Sequence, residues 1–217
     1  AVPGARSKFG GLPLLKTDES WPCCGHCHQP MQLFVQLDSQ DLPVDSRAGF
    51  GDGVLQVFYC TNGEEDCEVL GHAHLPFSDA NLVRVIPRQQ ADGFDALPVG
   101  IPDAFTEQAL TGWQRVTDFP DRQEMAALND DVPQGMVALL QAHRPAPQPG
   151  DKFLGWPHWV AEVDYPSCSC CQKPMKFLFQ IDSTDTLPFW FGNSGCAYIF
   201  QCESNLQVLT MSWEGRP

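Results

Sequence analysis

The sequence predicts an α+β fold that is mainly β, made by internal duplication of one β-rich unit containing a zinc-knuckle-like cysteine turn. The two copies are expected to face each other with pseudo-twofold symmetry, and a partly helical insert separates them. Three observations carry this. Shifting the chain by 144 positions aligns it with itself. Each half contains one cysteine-rich turn. Gly 18 and Pro 19 together interrupt the chain about every sixth residue, which favours short strands over long helices.

The self-alignment runs without a gap from Lys8 to Asp41 against Lys152 to Asp185, with 13 of 34 pairs identical. The identities are Lys8, Phe9, Gly11, Pro13, Pro22, Cys24, Cys27, Pro30, Met31, Gln36, Asp38, Ser39 and Asp41 and their partners. After a short slip, Phe50-Gly51 meets Phe191-Gly192, Gly53 meets Gly195 and Cys60 meets Cys202. A match this long means two copies of one supersecondary unit rather than a many-fold solenoid. Residues 1–75 form repeat one, 76–150 a central segment with linker, and 151–217 repeat two, all within one compact domain.

Within each repeat the elements follow from apolar runs and their punctuation. Leu33 to Leu37 and Phe177 to Ile181 are short apolar runs that end in Asp-Ser, as buried strands closed by a turn do. Val54 to Cys60 and Cys196 to Cys202 are second strands entered through glycine turns. Third strands are expected from Val69 onward and over Leu206 to Trp213. In the central segment, Leu82 to Ile86 reads as a strand. Asp103 to Leu110, Asp121 to Leu128 and Pro133 to His143 read as helices, the last with proline tolerated at its start. Arg144 to Gly150 is a proline-rich linker.

With 43% hydrophobic and 18% charged residues the chain can bury a core. No apolar run is long enough to span a bilayer, and no charged-then-apolar leader is present. The chain opens on Ala1, so the sequence leaves open whether a leader preceded it; a cytoplasmic location is expected. Thirteen Lys+Arg stand against 27 Asp+Glu, a formal net charge of −14. Nucleic acid and anionic membranes are therefore disfavoured, since no basic cluster is present to displace counterions. A basic protein or peptide partner suits the charge better, and a monomer is favoured slightly over an oligomer.

The ten cysteines are too few for a disulfide scaffold. Cys24-Gly25-His26-Cys27 is a Cys-x-x-Cys turn that aims two sulfurs the same way. Cys60 ends a strand and Cys67 follows a polar loop. Cys24, Cys27, Cys60 and Cys67 then form a closed four-sulfur site for structural Zn²⁺. Buried free thiols and a redox pair are the competing readings. The redox reading needs a thiol at a helix N-terminus, whereas this motif leads through Pro30 into a strand. Repeat two keeps Cys168, Cys171 and Cys202, but its fourth position is the short loop Glu203-Ser204-Asn205-Leu206. Cys196 lies too far along the same strand to reach the ion, and Cys170 is set aside because binding beside Cys171 would strain the turn. The second site is therefore expected to be degraded: empty, disulfide-bonded or held by three sulfurs. His26, His28, His72 and His74 are expected to be ordinary surface or hydrogen-bonded histidines. His72 and His74 would share one face of a strand, with replacement of Cys67 as the lesser reading.

These motifs resemble the YwqG-like family of bacterial proteins. The resemblance rests on Lys-Phe-Gly-Gly-Leu-Pro at 8–13, Trp21-Pro22-Cys23-Cys24, Pro30-Met31 leading to Gln36-Leu37-Asp38, and Gly53 through Tyr59-Cys60. The same signs recur at 152–157, 165–182 and 191–202. That family is similar in turn to eukaryotic programmed-cell-death-2 proteins, which share a duplicated unit with a Cys-x-x-Cys, an apolar strand and a later cysteine. The resemblance implies a chaperone-like, protein-binding role toward a small-subunit ribosomal protein, or a toxin–immunity role. The second fourth ligand departs from the pattern, so a second metal is not carried over.

No Gly-x-Ser-x-Gly, His-Glu-x-x-His or phosphate loop is present. The sequence therefore points to a non-catalytic protein- or peptide-binding module with a structural zinc. The alternative is an enzyme, hydrolase-type or other, using Asp38 and Asp182 at equivalent strand ends or a partly open second metal site. Asp followed by Ser after a strand reads better as an Asx-turn. A groove between the repeats is the expected binding place. The acidic run Glu64-Glu65-Asp66-Cys67-Glu68 would steer a basic segment there, and Trp156, Trp159, Phe189, Trp190 and Trp213 would either line the groove or fill the core.

Overall fold

The computed structural model describes residues 5–16, 19–46, 49–91, 103–128, 146–183 and 186–215. The helix expected over 133–143 lies outside them. Among the described residues the fold consists of two antiparallel sheets. The first contains β1 (Lys8–Phe9), β2 (Gln32–Asp38), β3 (Gly53–Tyr59), β4 (Asn81–Pro87) and β5 (Gln108–Ala109), in the order β4-β3-β2-β1-β5. The second contains β6 (Lys152–Phe153), β7 (Lys176–Asp182), β8 (Cys196–Gln201) and β9 (Leu209–Glu214), in the order β6-β7-β8-β9. Helix is confined to α1 (Arg88–Ala91), α2 (Arg122–Leu128) and two 3-10 turns among the described residues.

The two sheets share their register. Asp38 pairs with Val54 and Asp182 with Cys196, and the β2–β3 and β7–β8 ladders slip at the same place, Leu33/Val35 and Phe177/Phe179. Both ladders start from a glycine with no room for a side chain. A Cβ on Gly53 would lie 2.2 Å from the Ile86 carbonyl oxygen, and one on Gly195 would lie 1.7 Å from that of Glu214. The repeated glutamine has a shared task. Buried Gln36 accepts from the Leu14 N–H at 2.8 Å and donates to the Arg6 carbonyl at 2.8 Å. Buried Gln180 does the same with His158 N–H and the Gly150 carbonyl, both at 2.8 Å. Each side-chain amide thus satisfies the backbone of the loop lying over its sheet, which a buried polar group requires.

The sheets meet through aromatic side chains. Phe34 and Tyr59 contact Phe189 and Phe191 at ring-centroid distances of 5.2–6.0 Å. Phe9 meets Phe179, Phe50 meets Phe153, and one apolar core runs through both sheets. Phe189 and Trp213 therefore fill the junction where the sequence expected a groove. Trp159 packs with Tyr165, Tyr198 and Phe200 in a second cluster, while Trp190 is 63% exposed.

Three local expectations are corrected. The third strand of the first sheet is β4, not a segment from Val69 onward. Residues 63–77 are mainly turns, coiled by positive φ at Asp66, His72 and Phe77 and closed by Ala73 N–H to the Cys67 carbonyl. His72 and His74 accordingly do not alternate on a strand. Residues 103–110 are extended rather than helical, because the segment runs beside β1: Gly11 N–H donates to the Phe105 carbonyl, and Lys8 Nζ meets Glu107 at 2.7 Å. Helix also occurs earlier in the central segment than expected, in α1, where Arg88 reaches back to Asp38. The expected helix at 121–128 is present as α2.

Candidate metal centres

The turn that carries the first cysteines is set by backbone bonds. Cys24 N–H donates to the Gln29 carbonyl, His28 N–H to the Cys24 carbonyl, and Met31 N–H to the Pro22 carbonyl, with His28 at φ 61°. The second turn repeats this with Cys168 to Lys173, Gln172 to Cys168, Met175 to Pro166, and Gln172 at φ 60°. Matching one-residue bridges, Cys23–Pro30 and Ser167–Pro174, close both turns. Each turn leads directly into the central strand of its sheet, and each following strand ends at the next cysteine, Cys60 or Cys202.

The sulfurs of Cys24, Cys27, Cys60 and Cys67 lie within 4.8 Å of one another. Cys24 and Cys67 are 3.9 Å apart, and Cys27 and Cys60 are 3.6 Å apart. None of the ten cysteines is in a disulfide. A tetrahedral thiolate site with metal–sulfur bonds of about 2.3 Å has sulfur–sulfur edges of about 3.8 Å, so the group has the right size. The loop bearing Cys67 folds over the turn, with Gly25 N–H donating to the Asp79 carbonyl at 2.8 Å. A Cβ on Gly25 would lie 2.8 Å from the Asp79 Cβ, which accounts for glycine inside this Cys-x-x-Cys. Cys24, Cys60 and Cys67 are buried and Cys27 is partly so.

The second group has four sulfurs, not three. Cys168, Cys170, Cys171 and Cys202 also lie within 4.8 Å of one another. Cys170 Sγ is 3.3 Å from Cys168 Sγ and 3.7 Å from Cys202 Sγ, and Cys171 Sγ is 3.7 Å from Cys202 Sγ. The sequence reading set Cys170 aside as a source of strain. The turn accommodates it because its sulfur points back to the same centre, while its N–H donates to Cys168 Sγ at 3.4 Å. The signal was available: Cys170 aligns with His26, and a cysteine appears at that position where the counterpart of Cys67 is missing. Buried Cys196 instead sits near Asp182. No histidine belongs to either group among the described residues.

The thiols are not equivalent. Burial raises Cys27, but the Gln29 N–H, the Asn62 side chain and the Cys67 and Cys60 thiols outweigh it and bring the group down to about 7. Burial pushes Cys60 up to about 12, and burial with the Cys27 and Cys60 sulfurs pushes Cys67 higher still. In the second group Cys168 is lowered to about 6: burial opposes this, but donation from Cys170 and Cys171 N–H groups and neighbouring thiols prevails. Hydrogen bonding to Cys168 raises Cys170 to about 12. In each cluster one thiol, Cys27 or Cys168, is drawn toward the thiolate while close neighbours, Cys60 and Cys67 or Cys170, are pushed the other way, as like charges in one place must be. A cation would let all four ionise. Four soft donors at tetrahedral spacing suit a soft or borderline metal and leave no open position for substrate. Both groups can hold a metal ion.

The other candidate pair is differently employed. Buried Asp38 accepts from Gln40 N–H at 2.9 Å, forming the expected turn, and is ion-paired with Arg88 and Arg6. Burial alone would raise its carboxyl, but Arg88, the Gln40 N–H and Arg6 bring it down to about 2. Asp182 accepts from Gly150 N–H at 3.2 Å. A carboxylate held ionised between two guanidinium groups is a poor proton donor or acceptor near neutral pH. Among the described residues no helix is long and apolar enough to cross a membrane.

Residues 7–212 match the family model described as "Domain of unknown function (DUF1963)", and the chain belongs to that family, which is the family of YwqG-like proteins. The search of curated proteins gives no match.

Proposed function

We propose that this member of the family is a non-catalytic protein- or peptide-binding module, chaperone-like or of toxin–immunity type, built by duplication of one β unit and braced by structural Zn²⁺ on Cys24, Cys27, Cys60 and Cys67. The matching register and turn hydrogen bonds support the duplication. The size, burial and softness of the first sulfur group support zinc.

The observation that carries the binding role is the surface of the loop fixed by Cys67. Glu64, Glu65, Asp66 and Glu68 are exposed there, and so are Val69 and Leu70, at 59% and 65%. Farther along the same loop, Leu75 and Phe77 are 46% and 42% exposed. The loop is anchored at both flanks: Cys67 sits in the sulfur group, while Phe77 N–H donates to Thr210 Oγ1 at 2.6 Å and Trp213 N–H to the His74 carbonyl at 3.1 Å. An acidic rim beside held-out apolar side chains suits a basic amphipathic segment. Charge steers the encounter and apolar burial retains it. With the inter-sheet junction filled, this loop replaces the groove as the binding face. A closed four-sulfur site and an ion-paired Asp38 oppose the catalytic alternative.

The test is capture of natural partners on immobilised protein, wild type against Glu64→Lys with Glu65→Lys. Loss of a basic protein from the captured set on charge reversal supports the reading. Recovery of the same proteins by both, or turnover of a small molecule dependent on Asp38, overturns it.

A further inference from the structure

The two sulfur groups share a turn but differ in how their fourth ligand arrives. In the first, position 26 is an exposed histidine and Cys67 comes from a distant loop that covers the ion site. In the second, the chain after Cys202 is only a short turn before β9, with Cys202 N–H bonded to the Val208 carbonyl. It brings no cysteine and folds nothing over the 168–171 turn. Ser169 stands where Gly25 makes its close approach to Asp79, and Ser169 is exposed. The fourth sulfur comes from inside the turn, from Cys170.

We infer that Cys168, Cys170, Cys171 and Cys202 form a second tetrathiolate centre for Zn²⁺ or a similarly soft divalent ion, and that this centre exchanges its metal where the first retains it. This goes beyond the structural metal proposed above and stands on a different set of residues. The sulfur spacings of 3.3–3.7 Å approach the tetrahedral edge of about 3.8 Å without rearrangement of the turn. Three donors lie within four consecutive residues, so chelation needs little chain closure beyond the β7–β8 pairing that already places Cys202. Cys168 and Cys202 are buried beneath, while Cys170 is exposed and Cys171 half-buried. One side of the tetrahedron therefore faces solvent, and an incoming thiol or chelator can attack there and displace the metal stepwise. At the first centre three of the four cysteines are buried, the fourth is half-buried and none is exposed, so that approach is narrower.

Metal loading displaces thiol protons to water and involves no electron transfer, so all four cysteines must be reduced. The test is metal content and release on the intact chain. Protein reconstituted with Zn²⁺ under reducing conditions is exposed to a chromogenic chelator, and the wild type is compared with Cys170→Ser and Cys67→Ser. The expected result for the wild type is about two metal equivalents per chain, released in two resolved phases. Cys170→Ser should lose the fast phase and leave the slow one. Because Cys170 is exposed, this variant should fold, and an unchanged circular dichroism spectrum checks that. Cys67→Ser, where it folds, should show the converse. Co²⁺ substitution gives a second readout: thiolate charge-transfer absorbance should fall by about half in Cys170→Ser. A single equivalent that survives Cys170→Ser overturns this inference and leaves the first centre standing. A single equivalent that vanishes with Cys170→Ser upholds metal at the second group but overturns both the zinc assigned to the first group and the contrast in exchange between the two. Identical release from both groups, or a native disulfide involving Cys170, also overturns it.

Discussion

The indole Nε1–H of Trp213, in the last strand of the second sheet, donates to the phenol oxygen of Tyr59, in the first sheet, at 2.8 Å. Both side chains are buried, and Tyr59 ends the strand that leads into Cys60. The bond therefore ties the inter-sheet junction to the edge of the first sulfur group. Burial, only partly offset by the Trp213 bond, holds the Tyr59 hydroxyl well above its ordinary range, so it stays protonated and accepts this hydrogen bond at any working pH.

Tyr59→Phe removes the acceptor and leaves the indole N–H buried without it. The expected cost is about 1–3 kcal/mol, read as a lowered denaturation midpoint with unchanged metal content. Trp213→Phe, which also opens a cavity, should cost more.

Cys27→Ser and Cys60→Ser each remove a donor from the first group. With zinc held there as proposed, metal binding would contribute folding free energy directly, so each variant should lose metal and several kcal/mol of stability, on the order of 3 kcal/mol or more. Elemental analysis with thermal denaturation, with and without chelator, measures both. Because the metal requires thiolates, its retention should fail as pH is lowered, protons competing for the sulfurs.

Asp38 gives a second acid-sensitive contribution. Its folded carboxyl sits at about 2 against an ordinary 3.8. The stabilisation is fully present above about pH 4 and is lost as pH falls through 2, amounting to about 2 kcal/mol. Asp38→Asn should flatten this part of the stability–pH curve. It should also cost about 3 kcal/mol at neutral pH, because Arg88 loses its principal buried partner.

Gln36→Leu and Gln180→Leu test the shared latch. Each leaves a loop N–H and a carbonyl without their side-chain partner, at a cost of about 1–3 kcal/mol, read by denaturant unfolding. The loop hydrogen bonds match in kind and length, but Gln36→Leu should cost more because Gln36 Oε1 also accepts from buried Gln56 Nε2 at 2.8 Å, whereas Tyr198 opposite Gln180 donates to the His158 carbonyl.

Charge reversal at Glu64 and Glu65 should change stability by no more than about 0.5 kcal/mol, since both are exposed turn residues. Against a basic amphipathic peptide it should slow association. Salt should slow the wild type toward the variant's rate, which stopped-flow fluorescence would resolve.

The sequence by itself determined the strands that follow the cysteine turns and the sulfur turns themselves, because both are local. A buried strand is written as an apolar run between turn residues. The Cys-x-x-Cys turn is written in Pro22, Cys24, Cys27 and Pro30, and their counterparts in the second half obey the same backbone geometry. The Asx-turn at Asp38 was legible for the same reason. Tertiary structure decided what depends on partners far along the chain. Residues 103–110 read as a helix but lie extended, because β1 offers unpaired backbone and Lys8 offers a partner for Glu107. The segment after Val69 looks like a strand but coils, because Cys67 must reach the sulfur group and the chain must return over Gly25 to enter β4. The aromatics that suggested a groove were equally consistent with a core, and only the approach of the two sheets placed Phe189 and Trp213 in it. Cys170 is the sharpest case. Its neighbours in sequence argue strain, its alignment with His26 hints at a replacement ligand, and where β8 delivers Cys202 decides between them.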